Sequence, residues 1–540
     1  MRRSLLIAAV VAALTVPSAT AAPVFVVVGR GWGHGIGMSQ YGAYGYALHG
    51  RGYEWILDHY YAGTTPGTSS RMIDVVLATG RSSIVVGSAT AWQVRGAGST
   101  RWWNLPAGAS RTVGTGLTVR AEGKPRTLAS PITFRASGGV MQLFGKPYRG
   151  RMVVKKPGGS LSAVNHVGLE KYLYGVVPSE MPASWHRTAL KAQAVAARTF
   201  ASRFQSVSAT TSSQVYGGVW AEHASSTAAV EATRGEIRRY GGAVAQTYFF
   251  SGSGGRTGAN EDVWGGTPIP YLRSVRDRYD RLGGNNPNFR WNLLPMSRTV
   301  FADRLGSHVQ GKLRDVTVAA NPSGRAQTVT VKGSGGTSTI SGLDVSGGMR
   351  SLLGLKSTWF RIGVLRLSVG RTNVEPGARV MVRGLARGAA AAWLERKRGS
   401  DPWETILELQ LGSDGSFAVP RRPQGTTSFR VRVQRFYGTT LGAAARSGVA
   451  TITVKARPAL FAPVDRSGLS GIVSPAEGGV AVAVKRRSPD GWTTVGRTVT
   501  DPVGRFRIPF ALSDGTYRAA TMRGRAVVHA TSELTIVGQS

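Results

Sequence analysis

Apolar positions change their period several times along the chain, and the changes mark its parts. The unbroken run Val24 to Val28 reads as a short buried strand. Ser39 is placed to cap a helix whose apolar stripe is Tyr44, Ala47 and Leu48 and which Gly50 ends. A second helix is predicted over Tyr53 to Tyr61, stopped by Gly63. Residues 71–160 then alternate, with Met72 to Ala78, Ile84 to Val86 and Leu117 to Ala121 separated by Gly, Ser and Pro clusters, which predicts a β-rich insert.

The helical period returns where Leu190, Ala194, Ala197, Ala201 and Phe204 recur every three or four residues, with Ser184 as the expected N-cap. Gln193 falls on or beside that apolar face and Arg198 at its edge. Ala243 to Phe250 reads as a strand, and the first region closes near residue 365 after Trp359 and Phe360. Beyond it Trp403, Gly415, Phe417 and Pro420 recur as Trp492, Gly504, Phe506 and Pro509, each shifted by 89 positions (492 − 403). A repeat of that length with alternating strands has the size of a β-sandwich. The expected fold class is therefore an α+β domain over 23–365 with the β-rich insert, followed by two small all-β sandwich-like modules, 366–457 and 458–540, joined through a linker marked by Pro458 and Pro463.

Charge narrows the partners. The 540 residues include 67 basic and 28 acidic ones, a net charge of +39 held by no single tail, and such a surface attracts polyanions. Met1-Arg-Arg, the apolar run Leu5 to Val16 and the small-residue site Ala19-Thr20-Ala21 read as a secretory leader over 1–22, either cleaved near Ala21 or kept as an anchor. The expected location is therefore secreted or wall-associated, and the expected polyanion is a cell wall or membrane surface rather than nucleic acid. The basic clusters Arg396-Lys397-Arg398 and Lys485-Arg486-Arg487 repeat at the same offset of 89 and suit either wall binding or a solvated face. With no cysteine, thiolate chemistry and cysteine-ligated zinc are excluded.

One carboxylate stands out. Glu180 lies between Pro178 and Pro182, so it is expected on a stiff bend rather than in a regular helix. Val176, Val177, Met181 and Trp185 surround it in sequence, and a carboxyl group among apolar side chains holds its proton to higher pH, as a general acid should. Upstream, glycine at every second position around His34 lets something approach the backbone closely, but the nucleotide-binding lysine is missing. His34 fits a tight turn or a substrate contact equally well. Ser251 and Ser253 sit in a Gly-rich turn after a strand, suited to a cleft floor.

Six segments together resemble the family of sporulation stage II protein D and the amidase enhancer LytB: Gly33 to Ala43, Gly175 to Pro182, Leu190 to Thr199, Ser251 to Gly255, Asp262 to Gly265 and Gly354 to Phe360. The resemblance implies an exported lytic transglycosylase that cuts peptidoglycan glycan strands, preferably after the stem peptides are removed, with the catalytic glutamate at Glu180 and an arginine implicated in activity at Arg198. In such an enzyme the muramic acid's own hydroxymethyl oxygen is the nucleophile, so one carboxyl group suffices where ordinary glycosidases need two. Arg198 is then expected to hold a substrate carboxylate or orient Glu180, with Gln193, Ser251, Ser253, His34 and Gln40 as substrate contacts. The His-Gly motif, usually late in the family's domain, comes first here, which implies a permuted arrangement whose ends meet in space. The zinc set of some members needs cysteine, so neither metal nor cofactor is expected.

Two rival functions stay open. One is a wall-binding protein that enhances a separate cell-wall amidase. The other is a water-using hydrolase with Asp262 or Glu261 as the missing base. Expected partners are peptidoglycan glycan strands, anionic wall polymers and an amidase.

Overall fold

The computed structural model describes residues 19–281, 286–461, 467–476, 478–524, 526–531 and 533–537. The leader expected over 1–22 lies largely outside them, and Ala19–Thr20 forms a short strand against Ser368 and Val369. None of the described helices is long and apolar enough to cross a membrane.

The strand Val24–Gly29 leads through the glycine-rich loop into α1 (Gln40–Leu48), and α2 (Tyr53–Tyr60) follows. The cap is where the sequence puts it, with Ser39 Oγ accepting from the Gly42 N–H. Residues 71–160 are strand after strand, as expected, but they do not form a detachable insert. Met72–Arg81 pairs antiparallel with Leu161–Gly168 in a seven-stranded sheet, and Leu161–Gly168 runs directly into α3 (Leu169–Glu180). After α4 (Arg187–Ser202), the strand Ser206–Ser208 returns parallel to Met72–Arg81. A single apolar core joins Ile36, Val86, Phe134, Met152, Leu190 and Leu272.

The helix α4 is the axle of this region. From Ala189 to Ser202 every residue except Lys191 is buried, so its surroundings are protein on nearly all sides. Six alanines within that stretch favour the helix and leave room for α1, α2, α3 and α5 (Ala224–Ala232) to pack closely. Its N-cap is His186, whose ring accepts from the Thr188 N–H at 3.3 Å; Ser184 is displaced into the preceding turn, where the Trp185 N–H donates to Pro182 O.

The expected boundary at 365/366 falls inside the strand Phe360–Val369. That strand pairs with Val24–Gly29 on one side and Val380–Arg387 on the other, so the first β module shares a sheet with the preceding domain. Val26, Val28 and Leu365 enter one core with Phe417, Val431 and Phe436. The 89-residue repeat is visible in topology. The order Phe360–Val369, Val380–Arg387, Ser416–Arg421 recurs as Arg457–Phe461, Gly468–Ser474, Arg505–Pro509. In each module a facing sheet pairs Trp393–Arg398 with Thr427–Phe436, or Ala481–Ser488 with Gly515–Arg523. Pro458 belongs to the first strand of the second module rather than to a linker, and Pro463 lies outside the described residues.

Candidate active site

Glu180 is the last residue of α3, not a bend between prolines. Pro178 sits inside the final turn, where its missing N–H removes one bond to a carbonyl four residues back. Tyr172, Leu173, Val176 and Val177 are all buried on α3, and their packing holds the helix through the proline to Glu180. Ser179 Oγ donates to Gly175 O at 2.7 Å, and the Met181 N–H closes the turn on Val177 O at 2.9 Å. The chain then turns sharply, and Trp185 stacks on Tyr44 of α1 with ring centroids 4.5 Å apart.

The Glu180 side chain points into a cavity of about 320 Å³ lined by Trp32, Phe200, Tyr248, Phe250, Ser251 and Trp264, with Thr211, Ser212 and Ser213 as its polar side. Its Oε1 accepts a hydrogen bond from the Val215 N–H at 2.7 Å. Burial pushes its carboxyl pKa above the ordinary glutamate range, and the Val215 bond opposes this only in part. Among the described residues lining the cavity, Glu180 is the only carboxylate. Glu261 is committed to Arg273 through two 2.6 Å contacts, and Asp262 to Ser323, so neither faces the cavity.

The glycine-rich loop forms the wall opposite α3. Met38–Ser39 lies parallel to Phe249–Phe250, Trp32 pairs with Gly252, and Gly258 N donates to Gly35 O at 2.7 Å. A Cβ at Gly37 would lie 2.1 Å from Tyr248 O, so glycine is what permits this approach. His34 lines the cavity, but both its ring nitrogens are spent: Nδ1 accepts from the Ile36 N–H at 3.1 Å, which leaves Nε2–H to donate to Phe249 O at 3.0 Å. Burial drives its pKa down to about 3, so it is a neutral turn-holding ring packed against Phe250 and Trp264. Gln40 likewise acts on the protein: its Nε2 donates to the backbone carbonyl of Glu180 at 2.9 Å, capping the end of α3.

Of the remaining sequence candidates, Ser251 lines the cavity. Ser253 does not: it is fully buried and its Oγ donates to Asp277 Oδ2 at 2.7 Å. Arg198 is fully buried, and its guanidinium grips Glu170 at 2.9 and 2.7 Å while also donating to Val230 O and Glu236 O. Its donors face the α3 start and the α5 end, so it neither reaches a substrate nor orients Glu180. Gln193 is fully buried on α4 outside the cavity lining, with neither amide atom hydrogen-bonded.

Sequence reasoning missed the segment Thr211–Val215, whose polar run after a strand reads only as a turn. It also missed Asp277 and Asp280, which lie in a run of arginines that resembles a solvated face. Both aspartates are buried. Asp280 accepts from Ser39 Oγ, Ser253 N, Gly254 N and Asn286 Nδ2 at 2.8 to 3.1 Å, tying the loop before α1 to the Ser251–Gly255 turn.

The model of the SpoIID family, described as Stage II sporulation protein, matches residues 157–240, the stretch that contains α3, α4 and Glu180. An amidase enhancer of Bacillus subtilis (strain 168) is 41% identical over 123 residues, 22% of this chain and 16% of that protein. Stage II sporulation protein D of the same organism is 31% identical over 222 residues, 37% of this chain and 61% of that protein.

The chain carries a SpoIID-family segment over residues 157–240.

It spans less than two thirds of the length of either relative. The SpoIID match includes Glu180, Gln193 and Arg198, whereas His34, Gln40, Ser251 and Ser253 fall outside it. The fold brings His34, Gln40 and Ser251 to Glu180 all the same, from segments on both sides of the SpoIID match.

Proposed function

We propose that this chain is an exported, wall-associated lytic transglycosylase that cleaves the MurNAc–GlcNAc bond of peptidoglycan glycan strands freed of stem peptides. The observation that carries the reading is a single carboxyl group, raised in pKa, the only carboxylate among the described residues lining the cavity. Protonated Glu180 gives its proton to the glycosidic oxygen as the bond to the muramic C1 breaks. The carboxylate so formed takes the proton of the same sugar's C6 hydroxyl as that oxygen bonds to C1, closing the anhydro ring. The proton lost in the first step is regained in the second, and no water is consumed. General acid–base help of this kind contributes about 10²–10⁴-fold. With Glu261 and Asp262 held elsewhere, no second carboxylate among the described residues lines the cavity to activate water, which disfavours the hydrolase reading.

The likeness to an amidase enhancer supports a second reading, in which the same surface and its positive charge recruit a cell-wall amidase and anionic wall polymers. Product masses from purified glycan strands decide between them. Anhydro ends are expected, reducing ends would indicate hydrolysis, and no product together with a stimulated amidase would indicate the enhancer. Glu180→Gln should abolish cleavage while the protein stays folded. Since the acid must be protonated, the wild-type rate should fall as pH rises through the raised Glu180 pKa.

A further inference from the structure

Trp32 stands at the rim of the Glu180 cavity with half of its surface exposed, an unusual position for a large aromatic ring. Its backbone is pinned. Trp32 N donates to Gly252 O at 2.7 Å and Gly252 N returns to Trp32 O at 3.1 Å, while Gly31 N and Gly33 N donate to Asn288 O and Lys356 O at 2.9 and 3.0 Å. The indole is thus carried on a fixed backbone, which lowers the freedom it has to lose on binding. Above it lies the exposed Lys356, its ammonium 5.6 Å from the ring centroid.

Lys356 Nζ donates to Asn288 Oδ1 at 2.7 Å, and Asn288 is only 5% exposed. Asn288 N is held by Asn286 Oδ1 at 2.9 Å, and Asn286 in turn by the buried Asp280. The ammonium is therefore aimed by a buried polar relay. Among the described residues no carboxylate forms an ion pair with it, and Asn288 Oδ1 takes one of the three donors of this exposed ammonium.

We propose that Trp32 and Lys356 form a subsite for a sugar ring that carries a carboxylate, with the apolar ring face on the indole and the anion on the ammonium. This rests on the glycan-cleaving reading and deepens it. A muramic residue without its stem peptide exposes a free lactyl carboxylate, whereas a peptide-linked residue presents an uncharged amide at that atom. Lys356 is then the residue that reads whether the peptide has been removed.

The test is binding without turnover, in the full chain carrying Glu180→Gln. Titration uses short glycan oligosaccharides with free lactyl carboxylates, and the same oligosaccharides with those carboxylates converted to methylamides. The acid form should bind about 5-fold tighter at low salt, the size of one part-exposed charge-assisted contact. Adding Lys356→Gln should erase that preference, Lys356→Arg should restore it, and Trp32→Ala should weaken both forms alike. Equal binding of the two forms, a preference that survives Lys356→Gln, or no binding of either form would overturn the subsite. Failure of the cleavage reading shows separately, as a wild-type chain that yields no glycan products while the Lys356-dependent preference persists.

Discussion

Arg198 spends its guanidinium inside the protein. The bidentate pair with Glu170 joins the middle of α4 to the start of α3, and the bonds to Val230 O and Glu236 O reach the end of α5 and the strand after it. Glu170 also accepts from the Gly235 N–H at 3.0 Å. Removing the arginine leaves a mostly buried carboxylate without its counter-ion, and breaking a buried pair in this way costs about 3–5 kcal/mol. Arg198→Ala should therefore lower the urea midpoint of the protein, and any activity lost should track the unfolded fraction rather than appear as a raised KM. Arg198→Lys should recover only part, because an ammonium cannot reproduce the planar fork. A stable Arg198→Ala protein with a selective KM defect would return the residue to the substrate. The polar position on α4 is plain in the sequence, but its partner lies 28 residues earlier in the chain, and nothing in the local pattern points there.

At the scale of elements, the cavity is a junction between loops, and Asp280 with Asp277 fastens it. Four donors converge on the two oxygens of Asp280, from Ser39, Ser253, Gly254 and Asn286. Asp280→Ala would orphan them in the interior, and even one buried unsatisfied donor costs about 1–3 kcal/mol. A loss of about 3 kcal/mol or more is expected in chemical denaturation, with the Glu180 wall losing its order. Burial raises the carboxyl pKa of both aspartates, and at Asp277 the charge of the neighbouring Asp280 adds to it. The folded state therefore keeps protons that the unfolded chain has released. Stability falls as pH rises from the ordinary aspartate value through the raised ones. Asp277→Asn removes one charge of the pair and should flatten that decline; an unchanged pH profile would show that the two carboxyls do not share the burden. The elements these residues fasten were legible in different degrees. Ser39 as a cap, the helices it precedes and the strands of 71–160 follow from pattern alone. The helical state of Pro178 does not, because buried neighbours override a local preference. The Asp277–Asp280 clamp hides in a basic run that only the tertiary fold buries.

For the whole molecule, the strand Phe360–Val369 decides what can be removed. It carries Val24–Gly29 on one edge and the first β module on the other, and Val24–Gly29 leads directly into the Trp32 loop. The first module is thus part of the support for the cavity. The second module has a core of its own, made of Leu469, Val473, Val482, Val484, Phe506 and Tyr517 among others. A chain ending at Lys455 should keep the thermal transition of the remaining protein. A chain ending at Leu365 would cut the shared strand in half and strip the cover from Val26, Val28 and Leu365. Exposing apolar side chains of that size costs about 1.5–3 kcal/mol each, so three of them rival the roughly 5–15 kcal/mol by which domains are stable. The shorter chain should be insoluble or lack a cooperative melt, and cooperative unfolding of residues 19–365 alone would overturn the view that the first module belongs to the body that holds the Glu180 cavity. The sequence boundary near 365 fails for a physical reason. A strand with sheet partners on both edges serves two domains at once, and its hydrophobic run looks the same whichever of them it completes.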